Sequence, residues 1–367
     1  MEFFKDKKKQ EVDFVLFTIV MLLLAIGIIM VYSASSYSAL YKDKDSMLYL
    51  KKQLIFGTLG VISMMIVMKI DYHKYKKWSP WILLGCIPLL LLVFVFPDRN
   101  GAQRWIEIGP LTFQPSELTK YAIVLFLSSS VANKGERIKD LKQGLFPYLL
   151  VSGFYAGLIL AEKNLSIATV IMMVTLIILF VAGAKAKHIF GLVVPALGAA
   201  VLALAFSADY RRARMLNFLN PWKDAAGDGY QLVQSFYALG SGKLLGLGLG
   251  NSRQKCFYMP EPHNDFIFSI IGEELGFVGA VFVISLFILF IWRGILIAQR
   301  AKDTYGTLLA IGITSIIAVQ AIINIAVVTG SMPVTGVPLP FISYGGTSLV
   351  ITMTAMGILL NISKDVK

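Results

Sequence analysis

Apolar runs of membrane-spanning length recur along this chain, and no other feature restricts its fold as much. A helix crossing a hydrocarbon layer of roughly 30 Å needs about 20 apolar residues. The chain supplies ten candidates, at about 14–34, 54–70, 79–96, 115–132, 145–161, 165–183, 188–206, 273–293, 306–328 and 347–362. Several are short, and the 161–165 junction reads either as a turn or as a re-entrant feature. Hydrophobic residues make up 56% of the chain and charged residues only 15%, which excludes an ordinary soluble domain. The basic segment MEFFKDKKKQEVD precedes a run too long for a signal-peptide core, so that run is expected to remain as the first span. The expected fold is all-α: one polytopic membrane domain over residues 1–367, a bundle of about ten helices.

A net charge of +12 in a soluble protein would point to nucleic acid. Here the cations sit between apolar runs, where they set topology and meet anionic lipid, so no nucleic-acid partner is read from them. With the N-terminus cytoplasmic, the inner segments hold Lys7, Lys8 and Lys9; Lys74, Lys76 and Lys77; and Lys134, Arg137, Lys139 and Lys142. The short outer segments hold the sparser set Lys42, Lys44, Lys51, Lys52, Arg99, Arg104 and Lys163. That asymmetry predicts both termini in the cytoplasm and an even number of spans. Cys86 and Cys256 are far apart and outside any CxxC or Cys/His cluster, so neither a disulfide framework nor a zinc site is suggested.

On this layout the longest segment outside the membrane, about 207–272, lies between spans 7 and 8 on the outer face and ends at Asp265. Ionisable groups at a membrane edge are costly and each needs a reason. Asp265 reads as an N-cap for the following apolar run or as a functional carboxylate at the mouth of the bundle. His263 is its possible partner or a surface histidine without a task. Glu273 and Glu274 suit a helix N-terminus, and Gly272, Gly276 and Gly279 suit close helix packing. Glu117 and Lys120, three apart behind Pro115, form either a register-fixing ion pair or one wall of a polar cavity, with Ser116 assisting the cap. Arg211, Arg212 and Arg214 lie where the positive-inside bias does not apply. They suit bidentate contact with phosphate oxygens or a general attraction to anionic lipid. Arg104, beside Trp105, is a second outward cation.

Four stretches carry a resemblance: GAQRWIEIGPLTFQPSELTK, RMLNFLNPWKDAAGDGYQLVQSFYALGSG, GLGLGNSRQKCFYMPEPHNDFIFSIIGEELGFVG and PVTGVPLPFISYGGTS. Together they resemble the SEDS family of bacterial shape, elongation, division and sporulation proteins. EKNLSIAT and GLGLGNSRQK are more similar to its FtsW and SpoVE branch than to RodA. The resemblance implies a ten-span polymerase of the bacterial cytoplasmic membrane. It would join lipid II units into glycan strands on the outer face, with a class B penicillin-binding protein and other divisome or sporulation membrane proteins as partners. It places the essential aspartate on Asp265, the outer-loop arginines on Arg214 and Arg104 and the helix pair on Glu117 and Lys120; Arg211, His263 and Ser343 are expected to join these in binding substrate. The chain reads His263-Asn264-Asp265 where the family commonly has His-Thr-Asp, and its Lys163-Asn164-Leu165-Ser166 is a loose version of another family segment.

The chemistry fits such residues. A donor used outside the cell must arrive activated, and a lipid-linked pyrophosphate is. Glycoside hydrolases need a second carboxyl to protonate their leaving group, whereas pyrophosphate departs without that help, so one carboxylate base suffices. Asp265 is expected to be that base; the alternative is a ligand holding Mg²⁺ or Mn²⁺ against the pyrophosphate. A lipid II flippase would use the same cavity and arginines without a base, and a division scaffold would need neither.

Overall fold

The structure is a computed structural model that describes residues 11–98, 102–109, 111–206, 218–227 and 229–364. Among the described residues, seven helical segments are long and apolar enough to cross a membrane: Phe14–Asp43, Leu48–Val67, His73–Val95, Leu141–Ala161, Ile267–Arg300, Thr304–Val328 and Thr347–Lys364. The first two are α1 and α2; α3 is His73–Leu92 with a 3₁₀ extension, and α5 is Phe146–Ala161 behind a π turn at Leu141–Leu145. Three of the ten sequence candidates fall short of that standard, each for a visible reason. Helix α4 (Pro115–Ala132) carries Glu117 and Lys120, and α6 (Leu165–Val181) has only 17 residues. The third is broken into a single turn, α7 (Ala186–His188), a π turn and α8 (Val194–Phe206). The remaining helices are α9 (Tyr230–Gly242), α10 (Ile267–Arg300), α11 (Thr304–Val328) and α12 (Thr347–Lys364).

Local chemistry sets the helix ends. Asp13 accepts the Leu16 N–H at 2.9 Å and starts α1, and Asp303 accepts the Gly306 N–H at 3.0 Å and starts α11. At the 161–165 junction, Lys163 adopts a left-handed φ of 61° and Asn164 caps α6 by accepting from Ile167. The junction is therefore a tight turn between two helices. Pro115 opens α4, but the N-cap is Gln114, and Ser116 accepts from the Gln114 amide at 3.0 Å instead of capping the helix.

Helices α4, α11 and α12 form the interior, with α11 against α4, α6 and α10 and α12 against α2. The most apolar stretch of α11 is 72% buried, against 22% for α2, whose Leu54, Ile55, Ile62 and Ile66 point outward. Outward apolar faces on long helices are what a hydrocarbon solvent requires. At one end of the bundle a two-stranded hairpin, β1 (Ile106–Ile108) with β2 (Leu111–Phe113), is tied to α12 by a 2.9 Å hydrogen bond from the Thr347 hydroxyl to the Thr112 carbonyl. Asp265 lies at this end, in the turn that enters α10.

Candidate active site

Asp265 is half-buried, and the helix N-cap falls on the next residue, Phe266, so Asp265 does not occupy the capping position. Its turn is held at three successive backbone carbonyls. The Tyr344 N–H donates to the His263 carbonyl at 2.9 Å, the Ser343 hydroxyl to the Asn264 carbonyl at 2.8 Å, and the Asn324 side-chain amide to the Asp265 carbonyl at 2.7 Å. The same amide donates to the Val337 carbonyl at 2.8 Å, and Ser343 Oγ accepts from the Leu339 N–H at 2.8 Å. The catalytic candidate is thus clamped against the proline-rich 332–345 segment, whose prolines and glycines let irregular backbone fold over the helix ends. Gly336 allows the carboxylate to come close: a Cβ there would stand 3.2 Å from Asp265 Oδ2.

Ser343, expected to touch substrate, is one of the groups that hold the Asp265 turn. Asn324 was not singled out from sequence, yet it was findable: an amide in the middle of an apolar span, one turn after Gln320, has no inexpensive explanation. Its Oδ1 is buried without a partner among the described residues.

His263 is not a surface histidine. It is 5% exposed, with its ring 4.3 Å from that of Tyr49 in α2 and 5.7 Å from that of Tyr344. Burial, with a contribution from the Lys42 charge, pushes the imidazole down to about 4, so it is neutral at physiological pH. A neutral ring cannot neutralise phosphate. Glu117 and Lys120 are joined at 2.9 Å deep in α4, and Ser348 donates to the same Glu117 oxygen. A cavity of about 20 Å³, room for one water, lies beside Gln320, Ser343, Ser348 and Thr352, between the Asp265 clamp and this ion pair.

Arg104 reaches across from the hairpin segment to donate to the carbonyls of Glu162 and Lys163 at the end of α5. The Glu162 carboxyl beside it is buried, and burial raises it to about 8 against the pull of the Arg104 charge. Arg211, Arg212 and Arg214 lie outside the described residues.

Glu273 and Glu274 do not merely decorate a helix start. Both are fully buried in α10. Glu274 pairs with Lys255 at 2.9 Å and accepts from Ser33 of α1, while Glu273 accepts from the Arg253 N–H at 3.0 Å and from Ser252. This polar knot fixes the chain preceding Asp265 to α10 and α1. Close packing explains Gly272, where a Cβ would meet Leu239 at 2.5 Å. Among the described residues no group of three or more His, Cys, Asp or Glu is placed to hold a metal ion. Near Asp265 the next carboxylate, Glu261, is engaged by the Asn264 amide at 2.8 Å.

Comparison with known proteins identifies the setting of this clamp. Residues 13–367 match the FtsW/RodA/SpoVE cell cycle protein family. The chain is 45% identical to Stage V sporulation protein E of Bacillus subtilis (strain 168) over 97% of its own length and 98% of the relative's. It is 41% identical to the probable peptidoglycan glycosyltransferase FtsW of Geobacter sp. (strain M18), covering 96% of both. Among solved structures, a chain from work on the coordination of polymerization and crosslinking by a peptidoglycan synthase complex superposes with a TM-score of 0.80 at 28% identity, covering 96% of this chain and 98% of that one. The rod shape determining protein RodA of Thermus thermophilus gives a TM-score of 0.71 at 26% identity, covering 96% and 97%. With the match running over nearly its whole length, this chain belongs to the FtsW/RodA/SpoVE family of cell cycle proteins.

Proposed function

We propose that this protein is a peptidoglycan glycosyltransferase that polymerises lipid II on the outer face of the bacterial cytoplasmic membrane, in cell division or spore cortex synthesis. The observation that carries the reading is the Asp265 carboxylate itself, half-buried at one end of the bundle on a turn clamped at three carbonyls. The names of the relatives support the substrate class. We place ten spans in the membrane by adding α4, α6 and the α7–α8 segment to the seven long ones, with both termini cytoplasmic and the large loop between spans 7 and 8.

In this reading Asp265 takes the proton of the acceptor sugar hydroxyl as its oxygen bonds to the donor's anomeric carbon. The bond from that carbon to the pyrophosphate breaks, and its electron pair leaves with the lipid pyrophosphate. Attack opposite the leaving group inverts the anomeric centre. Fixing the turn holds the base near its attack geometry, where small displacements are expensive. Arg211 and Arg214 are assigned to the pyrophosphate, Arg214 following the family pattern and Arg211 as its neighbour suited to bidentate phosphate contact. The buried Glu117–Lys120 pair fixes α4 against the Ser348 end of α12. A single carboxylate together with substrate phosphates is an ordinary Mg²⁺ set, so Asp265 also fits the metal-ligand role, in which the cation would neutralise the leaving group. A class B penicillin-binding protein is the proposed partner, supported by the synthase-complex likeness.

The test is glycan-strand synthesis from purified lipid II by the wild-type protein and by Asp265→Asn, with and without chelator and with and without the cognate transpeptidase. The near-isosteric variant should bind lipid II and make no polymer. Polymerisation at the wild-type rate by Asp265→Asn would remove the catalytic assignment. Absence of polymer from the wild type, with transfer of lipid II across sealed vesicles, would indicate a flippase.

A further inference from the structure

Helix α10 is broken, and the outer loop fills the break. At Gly276 the backbone has φ 69° and ψ −168°, and the intrahelical bonds across that point are replaced. The N–H groups of Phe277 and Val278 donate to the carbonyls of Lys243 and Leu244 at 2.9 and 3.1 Å. The carbonyls released on the other side, those of Glu273 and Glu274, accept from Leu247 and Gly248 at 2.9 and 3.0 Å. Two glycines make the approach possible. A Cβ on Gly246 would stand 2.1 Å from the Glu274 carbonyl oxygen, and one on Gly276 would stand 2.3 Å from the Gly246 nitrogen. Residues 243–248 are thus inserted as backbone into a membrane helix.

Apart from Lys243, the side chains that this segment and the following Leu249 leave exposed are leucines. Leu244, Leu245 and Leu249 are 67%, 81% and 57% exposed, and the backbone bonds to the exposed Phe277 and Val278 bring the segment beside the outward face of α10, which continues through the exposed Val281 and Phe282. The depth follows from the helix. Trp292, with Arg293 paired to Asp13, marks the opposite interface. Phe277 is 15 residues from Trp292 in sequence, and at 1.5 Å per residue that is about 22 Å, inside a core of roughly 30 Å. Each backbone polar group that finds a partner within the protein lowers the cost of entering hydrocarbon. Here the N–H groups of Gly246, Leu247 and Gly248 and the carbonyls of Lys243, Leu244, Leu247 and Gly250 all have protein partners.

We propose that residues 243–250, which sequence alone assigns to a water-exposed loop, form a membrane-embedded hairpin whose partner is the hydrocarbon of the leaflet on Asp265's side. The exposed Lys243 at its base is long enough to reach the headgroups. Its exposed leucines extend the lipid-facing surface that Phe277 and Val278 begin on α10. This holds whichever chemistry Asp265 performs.

The test uses the full chain in proteoliposomes, in a Cys86→Ala, Cys256→Ser background, with an environment-sensitive fluorophore on Leu245→Cys or Leu249→Cys. Val281→Cys is the lipid-facing control and Glu261→Cys, exposed near Asp265, the aqueous one. At 245 and 249 the emission should be blue-shifted as at 281, quenched to the same fold by nitroxide on the acyl chains, and insensitive to iodide. Quenching by iodide to the extent seen at 261, or shielding from both quenchers, overturns the proposal. If Leu245→Cys does not fold, Leu249→Cys reads the same surface.

Discussion

Replacing Asn324 by alanine removes the one side chain that joins the Asp265 carbonyl to the Val337 carbonyl, through bonds of 2.7 and 2.8 Å. Each intramolecular hydrogen bond is worth a net ~1 kcal/mol, and a buried acceptor left without a donor adds about 1–3 kcal/mol. Val337 is 2% exposed, so its carbonyl is stranded in Asn324→Ala, whereas the Asp265 carbonyl is nearer water. The sum is a loss of about 3–5 kcal/mol, enough to lower the thermal midpoint clearly in a membrane protein that still folds. The rate should suffer more than the stability. With one of the three holds gone, a movement of about 1 Å at the catalytic turn costs on the order of 10² in turnover. The assay pairs thermal unfolding in detergent with polymerisation of purified lipid II at saturating substrate, corrected for the folded fraction. Asn324→Asp, which cannot donate when ionised, should fail in the same way. A well-folded Asn324→Ala that polymerises at the wild-type rate would refute the positioning argument.

Gly336→Ala sets a Cβ 3.2 Å from Asp265 Oδ2, so turnover should fall by about tenfold or more with little change in melting, read by the same polymerisation assay. Breaking the buried ion pair with Glu117→Gln or Lys120→Met alone should cost about 3–5 kcal/mol of stability; the double variant should recover much of it, and a thermal-melt mutant cycle measures both. His263 charges near 6.5 when unfolded but only at about 4 in its pocket. Its contribution to stability is therefore present above the unfolded value and lost as pH falls from about 6.5 towards 4, amounting to about 3 kcal/mol. Melting curves across that window should show a shallower acid slope for His263→Phe than for the wild type.

Much of the bundle was legible in the chain because hydrocarbon is an undemanding solvent: run length and charge asymmetry go far towards locating spans. The start of α4 at Pro115 and its end at Ala132 coincide with the run read from sequence, as does the start of α12 at Thr347. Helix α1 continues past its apolar run to Asp43, because polar turns outside the hydrocarbon are helical too and apolarity does not mark them, whereas α10 begins six residues before its run, in the buried apolar turns at 267–272 that the sequence reading left in the loop. The acidic pair Glu273–Glu274 was visible, but its partners Lys255 and Ser33 come from a loop and from another helix, and no spacing rule connects them.

What the sequence by itself determined is the kind of molecule: a polytopic helical membrane protein with Asp265 at one end, its family written in four long motifs. Only the tertiary structure decided how Asp265 is held, that His263 is neutral between two tyrosines, and that a leucine-rich loop is threaded into a broken helix. The physical reason is the range of the interactions. Burial of an apolar run is a property of the run alone. A hydrogen bond to a stranded carbonyl depends on which distant backbone arrives beside it, and here 59 residues separate Asn324 from the turn it fixes.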